Sequence, residues 1–358
     1  MNPTIARRFP LIARPRPACT PLPQRVAALR AQAADVSRSG DIAAATAVFN
    51  LAALLASDCG LPDLARQWCH RLARTTLAQR HDGRYALEPI VNLARLHTRA
   101  GNGTTAWTLL ETLYHAVTDR TDITIDGIDI PTTDLTTTSE AHHELRAWLW
   151  TVLLSTGAHA LAAAERWDDA FHRLAQHRGI GHRMLDGRQI AVITHLTAGR
   201  HDPARTLVQT TRAGEPWEAV VTRGLHLLCT STISRTEAHE VCALYLTLDP
   251  HPAHTVFRTR LGLTLVDALN GHHDAAATRL TADLIHHALQ DGYAARDVLA
   301  HPASRSVASA QNLRRLTGLL DSCGLDRGEL PKAHLAPLAA ALDAAEQVLS
   351  PRPGSLPR

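Results

Sequence analysis

The chain has 358 residues, of which 45% are hydrophobic and 20% charged, with a formal net charge of +3 at neutral pH. A chain of this length and composition buries a core and is expected to be soluble; it is neither disordered nor strongly basic. The mild charge and an aromatic content of only 4% leave little for phosphate neutralisation or base stacking, so a nucleic-acid partner is disfavoured.

Residues 1–23 mix arginine with proline and predict a flexible N-terminal segment. Pro10, Pro15 and Pro17 interrupt its apolar stretch, so no signal peptide is read there. No apolar run is long enough to span a bilayer. The expectation is a cytoplasmic protein with no membrane partner. Lys332 is the sole lysine, and abundant alanine beside it suggests GC-rich coding, as in actinobacteria. The six cysteines, Cys19, Cys59, Cys69, Cys229, Cys242 and Cys323, form no C-x-x-C pair. They are expected to be buried thiols.

Residues 24–350 predict a single helical domain. Ala/Leu-rich stretches with apolar residues at helical spacing are separated by short breaks, among them "SRSGD", "SDCGLPD", "RAGNGT", "AGRHDP", "LDPHP" and "LNGHHD". Loops this short imply antiparallel neighbouring helices. One stretch differs. In "TDITIDGIDIPTTDLTTTSE", residues 121–140, Ile123, Ile125, Ile128 and Ile130 alternate with polar residues around Asp126-Gly127. That pattern predicts an inserted β-hairpin near residues 121–131, closed by Pro131. A lone hairpin is marginal in water. It must pack on the helical body or accept a strand from another chain, which opens a route to a homodimer. A calcium loop is excluded because its twelfth position would be Thr133 rather than a bidentate Glu.

Further along, "HRGIGHRMLDGRQIAV" (177–192) holds two glycines without a phosphate-loop or dinucleotide pattern, and predicts a tight turn followed by a helix restart. The 22 histidines include adjacent pairs at 142–143, 272–273 and 286–287. Adjacent helical residues point about 100° apart and do not face one metal, and no H-E-x-x-H occurs. No metal site and no cofactor are expected. No nucleophile motif is present, so no catalytic residues are assigned. Residues 351–358 predict a flexible tail.

The breaks are not random, and their spacing is regular in the central units. Ala170, Ala204 and Ala238 lie about 34 residues apart, with Ala65 and Ala106 before them and Ala275 or Ala276 after. A glycine stands five positions earlier at Gly60, Gly101, Gly199 and Gly271. The glycine permits a left-handed helix end, and the small alanine permits a close helix crossing. In "YLTLDP", Pro250 stops a helix before the next unit begins.

The small-residue turn, the anchoring alanine and the closing "LDP" resemble the tetratricopeptide repeat over roughly residues 40–290. The consensus Trp and Tyr of the first helix are mostly missing, so the likeness is to a divergent member. The whole chain also resembles actinobacterial repeat proteins without an attached catalytic or DNA-binding domain. The resemblance implies an all-α fold, a right-handed α-solenoid of helix hairpins interrupted by the one β-hairpin. It further implies binding of a protein or peptide. Aligning the alanine anchors places Glu88, Asn92, Arg95, Arg99, Gln189, Arg223 and Arg258 along the concave groove. Arginine forks beside amides suit an acidic, phosphorylated or C-terminal carboxylate ligand. The expected function is a non-enzymatic adaptor or scaffold. An accessory subunit presenting a peptide to a modifying enzyme is the alternative, followed by an enzyme with a cryptic site.

Overall fold

The computed structural model describes residues 1–79, 83–230, 232–269 and 275–350. Gly271, the His272–His273 pair and the tail 351–358 lie outside the described residues. Among the described residues the fold is all-α with one small antiparallel two-stranded sheet. In chain order, α1 (Pro3–Arg8), α2 (Leu22–Ser39), α3 (Ile42–Asp58), α4 (Pro62–Ala78), α5 (Gly83–Arg99) and α6 (Gly103–Asp119) precede β1 (Ile123–Ile125) and β2 (Ile128–Ile130). Next come α7 (Ser139–Val152), a π turn (Leu153–Gly157), α8 (Ala158–Ala163), α9 (Trp167–Gln176), α10 (Asp186–Thr197) and α11 (His201–Gln209). They are followed by α12 (Pro216–Cys229), α13 (Arg235–Leu246), α14 (Thr255–Ala268) and α15 (Ala275–Ala288). The last are α16 (Gly292–Ala300), α17 (Pro302–Val307), α18 (Ala310–Cys323) and α19 (Lys332–Leu349). Among the described residues no helix is long and apolar enough to cross a membrane.

The chain forms two compact units. One runs from Leu22 to Ala164 and takes in the C-terminal segment from Gly324. Here α3 packs on α4, α4 on α5 and α5 on α6, while α3 also meets α5 one step further on. The C-terminal helix α19 lies against α2, α3 and α4. Leu338, Leu342 and Leu349 thereby join Leu22, Val26, Leu29, Phe49 and Leu55 in one buried cluster. A second cluster draws Leu87, Ile90 and Leu93 of α5 together with Leu113 of α6 and Leu145 of α7. At the α6–α8 contact, a side chain on Gly103 would run into the Ala160 carbonyl, so the helices touch through backbone.

The β-hairpin belongs to this second cluster. Asp126 and Gly127 both take left-handed backbone (φ 56° and 74°), the requirement of a type I′ turn. The register pairs Ile123 with Ile130, Thr124 with Asp129 and Ile125 with Ile128. All four isoleucines therefore share one face, and Ile125, Ile128 and Ile130 are buried against the helices. On the other face Thr124 Oγ1 donates to Asp129 Oδ1 at 2.6 Å. The tip is pinned to α4: the Asp126 carboxylate accepts from Arg66 Nε (2.8 Å) and Arg66 Nη2, and lies 2.7 Å from His70 Nε2. The insert is thus packed on its own helical body.

The other unit comprises Met1–Pro21 and Glu165–Cys323. Its central helices α10 and α14 are buried on nearly every side, polar residues such as Arg188, Gln189 and Arg258 included. Buried Ile285, Ala288, Val298 and Leu316 close the packing of α15, α16 and α18. The proline-rich start, expected to be flexible, is instead tied into this unit. Arg8 pairs with Asp267, and Arg14 Nη2 reaches Asp186 Oδ2 at 2.5 Å. The Cys19 N–H donates to Asp291 Oδ2 at 2.8 Å, and the Arg16 guanidinium sits 3.7 Å from the Tyr293 ring centre. Phe9 and Leu11 are buried.

The alanine anchors Ala65, Ala106, Ala170, Ala204 and Ala238 are all buried. At the end of the series the buried residue is Ala277, while Ala275 is exposed and Ala276 half-buried, so the register there is shifted from the expected Ala275 or Ala276. Gly60, Gly101 and Gly199 each take left-handed backbone, as the turn reading requires.

Candidate functional site

On α5, Glu88, Asn92, Arg95 and Arg99 recur at steps of four and three, which lays them along one stripe of the helix. Pro62 at the start of α4 and the left-handed turn at Gly60 end α3 so that α3 and α5 become neighbours. Their polar side chains then meet in a ladder. Asn92 Nδ2 donates to Asn50 Oδ1 at 2.7 Å, and Arg95 Nη1 donates to Asn92 Oδ1 at 2.6 Å. One step further, Arg99 Nη1 donates to Ser57 Oγ and to Asp58 Oδ1, both at 2.8 Å. The second Asp58 oxygen accepts from Arg25 Nη1 at 2.9 Å. Asp58 is buried while Arg95 and Arg99 are exposed, so the ladder stands on a fixed carboxylate and offers cations at its surface. Arg25 and Arg99 share the two oxygens of that one carboxylate. Asn50 accepts through its oxygen and keeps its NH2 group for a further acceptor. Glu88 is half-buried on the same stripe.

Asn50, Ser57 and Asp58 were missed by the alignment of alanine anchors. A signal for two of them exists: Asn50 to Asn92 and Ser57 to Arg99 are both offsets of 42 residues, the local distance between equivalent helices.

The other three expected residues fall in the unit containing α9–α18. Arg223 is exposed and lines a groove of about 210 Å³ between α12 and α13, together with His226, Glu237 and Glu240. Hydrogen bonds from Ser234 hold the Glu237 carboxyl below its ordinary range, in a capping box that starts α13. Gln189 and Arg258 are not groove residues. Gln189 is fully buried, donating to the Met184 carbonyl at 2.7 Å. Arg258 is buried, bonds the Leu248 carbonyl, lies 3.7 Å from Asp283 and sits over the Tyr245 ring. Both stand on helices enclosed on nearly all sides, so no face of theirs is left for a partner.

The stretch 177–192 is a tight turn and restart. A side chain on Gly187 would collide with the Gly179 carbonyl. Arg188, almost fully buried, donates to the carbonyls of Gly181 and Leu207 and to the hydroxyls of Thr210 and Thr211. Its donors are spent on closing the loop over the end of α11. The rings of His286 and His287 stand edge to face, with centroids 5.3 Å apart. An open cleft of about 660 Å³ lies between the end of α4 and the hairpin, lined by Arg74, Leu77, Asp122, Ile123, Asp129 and neighbours. Compared with protein-family models, curated proteins and solved structures, the chain matches none.

Proposed function

We propose that the protein is a non-enzymatic adaptor, a right-handed tetratricopeptide-like α-solenoid that holds an acidic or carboxylate-ended peptide. The observation that carries this reading is the Asn50–Asn92–Arg95 ladder, continued by Arg99, on adjacent helices α3 and α5. Amide and guanidinium groups held in place by mutual hydrogen bonds bind a carboxylate with little further loss of side-chain entropy. The regular left-handed glycine turns and buried alanines support a repeat origin for that face. A cytoplasmic setting fits six cysteines held as thiols.

The test uses fluorescent peptides that differ only in a free or amidated C-terminus, with an Asp/Glu-rich and a phosphoserine series alongside. Fluorescence anisotropy should show binding that needs the carboxylate or phosphate and weakens with salt. Arg95→Ala should weaken it roughly tenfold or more, the worth of one hydrogen bond to a charged group. Equal affinity for the amidated, neutral peptide, or no effect of Arg95→Ala, would remove the basis for this reading.

A further inference from the structure

Cys19 and Cys323 are 304 residues apart in sequence but meet in the unit that contains them both. The Cys19 backbone is fixed at the start of α16: its N–H donates to Asp291 Oδ2 and its carbonyl accepts from Gly292 N–H, each at 2.8 Å. The same carbonyl accepts the Cys323 thiol, with Sγ 3.2 Å from the oxygen. A first side-chain carbon on Gly292 would lie 2.7 Å from Cys323 Sγ and 2.9 Å from Cys19 Sγ. Both sulfurs therefore converge on one point, and only glycine leaves them room. Both residues are fully buried.

We propose that Cys19 and Cys323 form an oxidative modification site that closes to a disulfide in the presence of a peroxide. One thiolate attacks the peroxide O–O bond, giving a sulfenic acid and releasing water, or an alcohol from an alkyl peroxide. The second thiolate then attacks that sulfur, forming the S–S bond and expelling hydroxide, which leaves as water on protonation. Two thiols lose two electrons and two protons, and the peroxide gains both. A dithiol reductant reverses the step by exchange. Convergent sulfurs reach bonding distance by side-chain rotation, and brief release of the short N-terminal segment admits the oxidant. The disulfide replaces reversible contacts between this segment and α16 and α18 with a covalent one.

The full-length protein is treated with hydrogen peroxide, residual thiols are alkylated, and a non-reducing digest is read by mass spectrometry. The expected result is a Cys19–Cys323 linked peptide pair, lighter by two hydrogens than the sum of its parts. It should come with a melting temperature raised by roughly 5–10 °C, and dithiothreitol should reverse both. Cys19→Ser should abolish the link and the shift. Should that variant fail to fold, the peptide map of the unaltered protein decides alone. Recovery of Cys19 and Cys323 as separately alkylated or sulfinic peptides, or linked to other cysteines, would overturn the proposal.

Discussion

Replacing Asp126 with Asn tests what holds the hairpin down. Asparagine tolerates the left-handed backbone at this position (φ 56°) about as well as aspartate, so the substitution removes charge without straining the turn. The carboxylate is largely covered and accepts from Arg66 and His70. A hydrogen bond to a charged group contributes about 1.5–3 kcal/mol, but Arg66 is 54% exposed and its share falls below about 1 kcal/mol. The expected cost is about 1–2 kcal/mol, felt in opening of the hairpin. Hydrogen exchange of a peptide covering residues 119–135 should then speed up roughly 5- to 30-fold at pH 7. The effect is pH-dependent with a definite sign. Burial pushes the Asp126 carboxyl up, but the hydrogen bonds from Arg66 and His70 outweigh it and hold the group below its ordinary range. Just below the ordinary aspartate value of about 3.9, the unfolded chain therefore binds more protons than the folded one. The stabilisation is complete above that value and is lost as pH falls through the lowered folded one. Wild type and Asp126→Asn should converge in the most acid buffers. A gap of the same size at pH 3 and pH 7, or no gap at pH 7, would refute the electrostatic account.

Ala204→Leu should destabilise the fold by about 1–3 kcal/mol, because the alanine is fully buried and a larger side chain forces backbone movement; the urea midpoint reads this directly. Arg188→Lys should cost about 2–4 kcal/mol by the same measurement, since an ammonium cannot reach the Gly181 and Leu207 carbonyls and two threonines at once. Burial and nearby Arg8 lower His301 to about 4, against the pull of the Asp267 carboxylate 3.0 Å from its Nε2, so stability should fall as pH drops from about 6.5 toward 4, by on the order of 1–3 kcal/mol. Comparing pH-dependent melts of wild type and His301→Asn isolates that contribution. Replacing Thr121–Pro131 with a Gly/Ser linker should lower the melting temperature by exposing isoleucine-facing core, without changing the mass seen by light scattering.

Legibility in the sequence follows the range of the forces involved. The hairpin was legible because its turn demands two left-handed residues and its isoleucines alternate over neighbouring positions. The glycine turns and alanine anchors were legible for the same reason, each being a local backbone demand. The packed N-terminal segment was not. Its prolines and arginines carry no sign that Asp186, Asp267 and Asp291 wait 172, 259 and 272 residues away. Nor does the sequence of α19 announce that its leucines complete a cluster begun by α2 and α3. The candidate site was half legible. Helical spacing grouped the four α5 residues, but carrying the same alignment to α10 and α14 ignored how completely those helices are enclosed. Burial on every side is set by neighbours distant in the chain, and so Gln189 and Arg258 were misplaced.

The exchange of end segments has a consequence for how the molecule is made. Met1–Pro21 is translated before α2, yet the helices that hold it, from Glu165 to Cys323, follow all of α2–α8. Conversely, α2, α3 and α4 emerge early and keep an apolar face uncovered until α19 is synthesised. At bacterial or eukaryotic elongation rates that interval is on the order of tens of seconds. During it the nascent chain carries exposed leucine and phenylalanine surface, which is prone to aggregate. Cutting the gene between residues 164 and 165 would accordingly yield two polypeptides, each lacking the piece that finishes it.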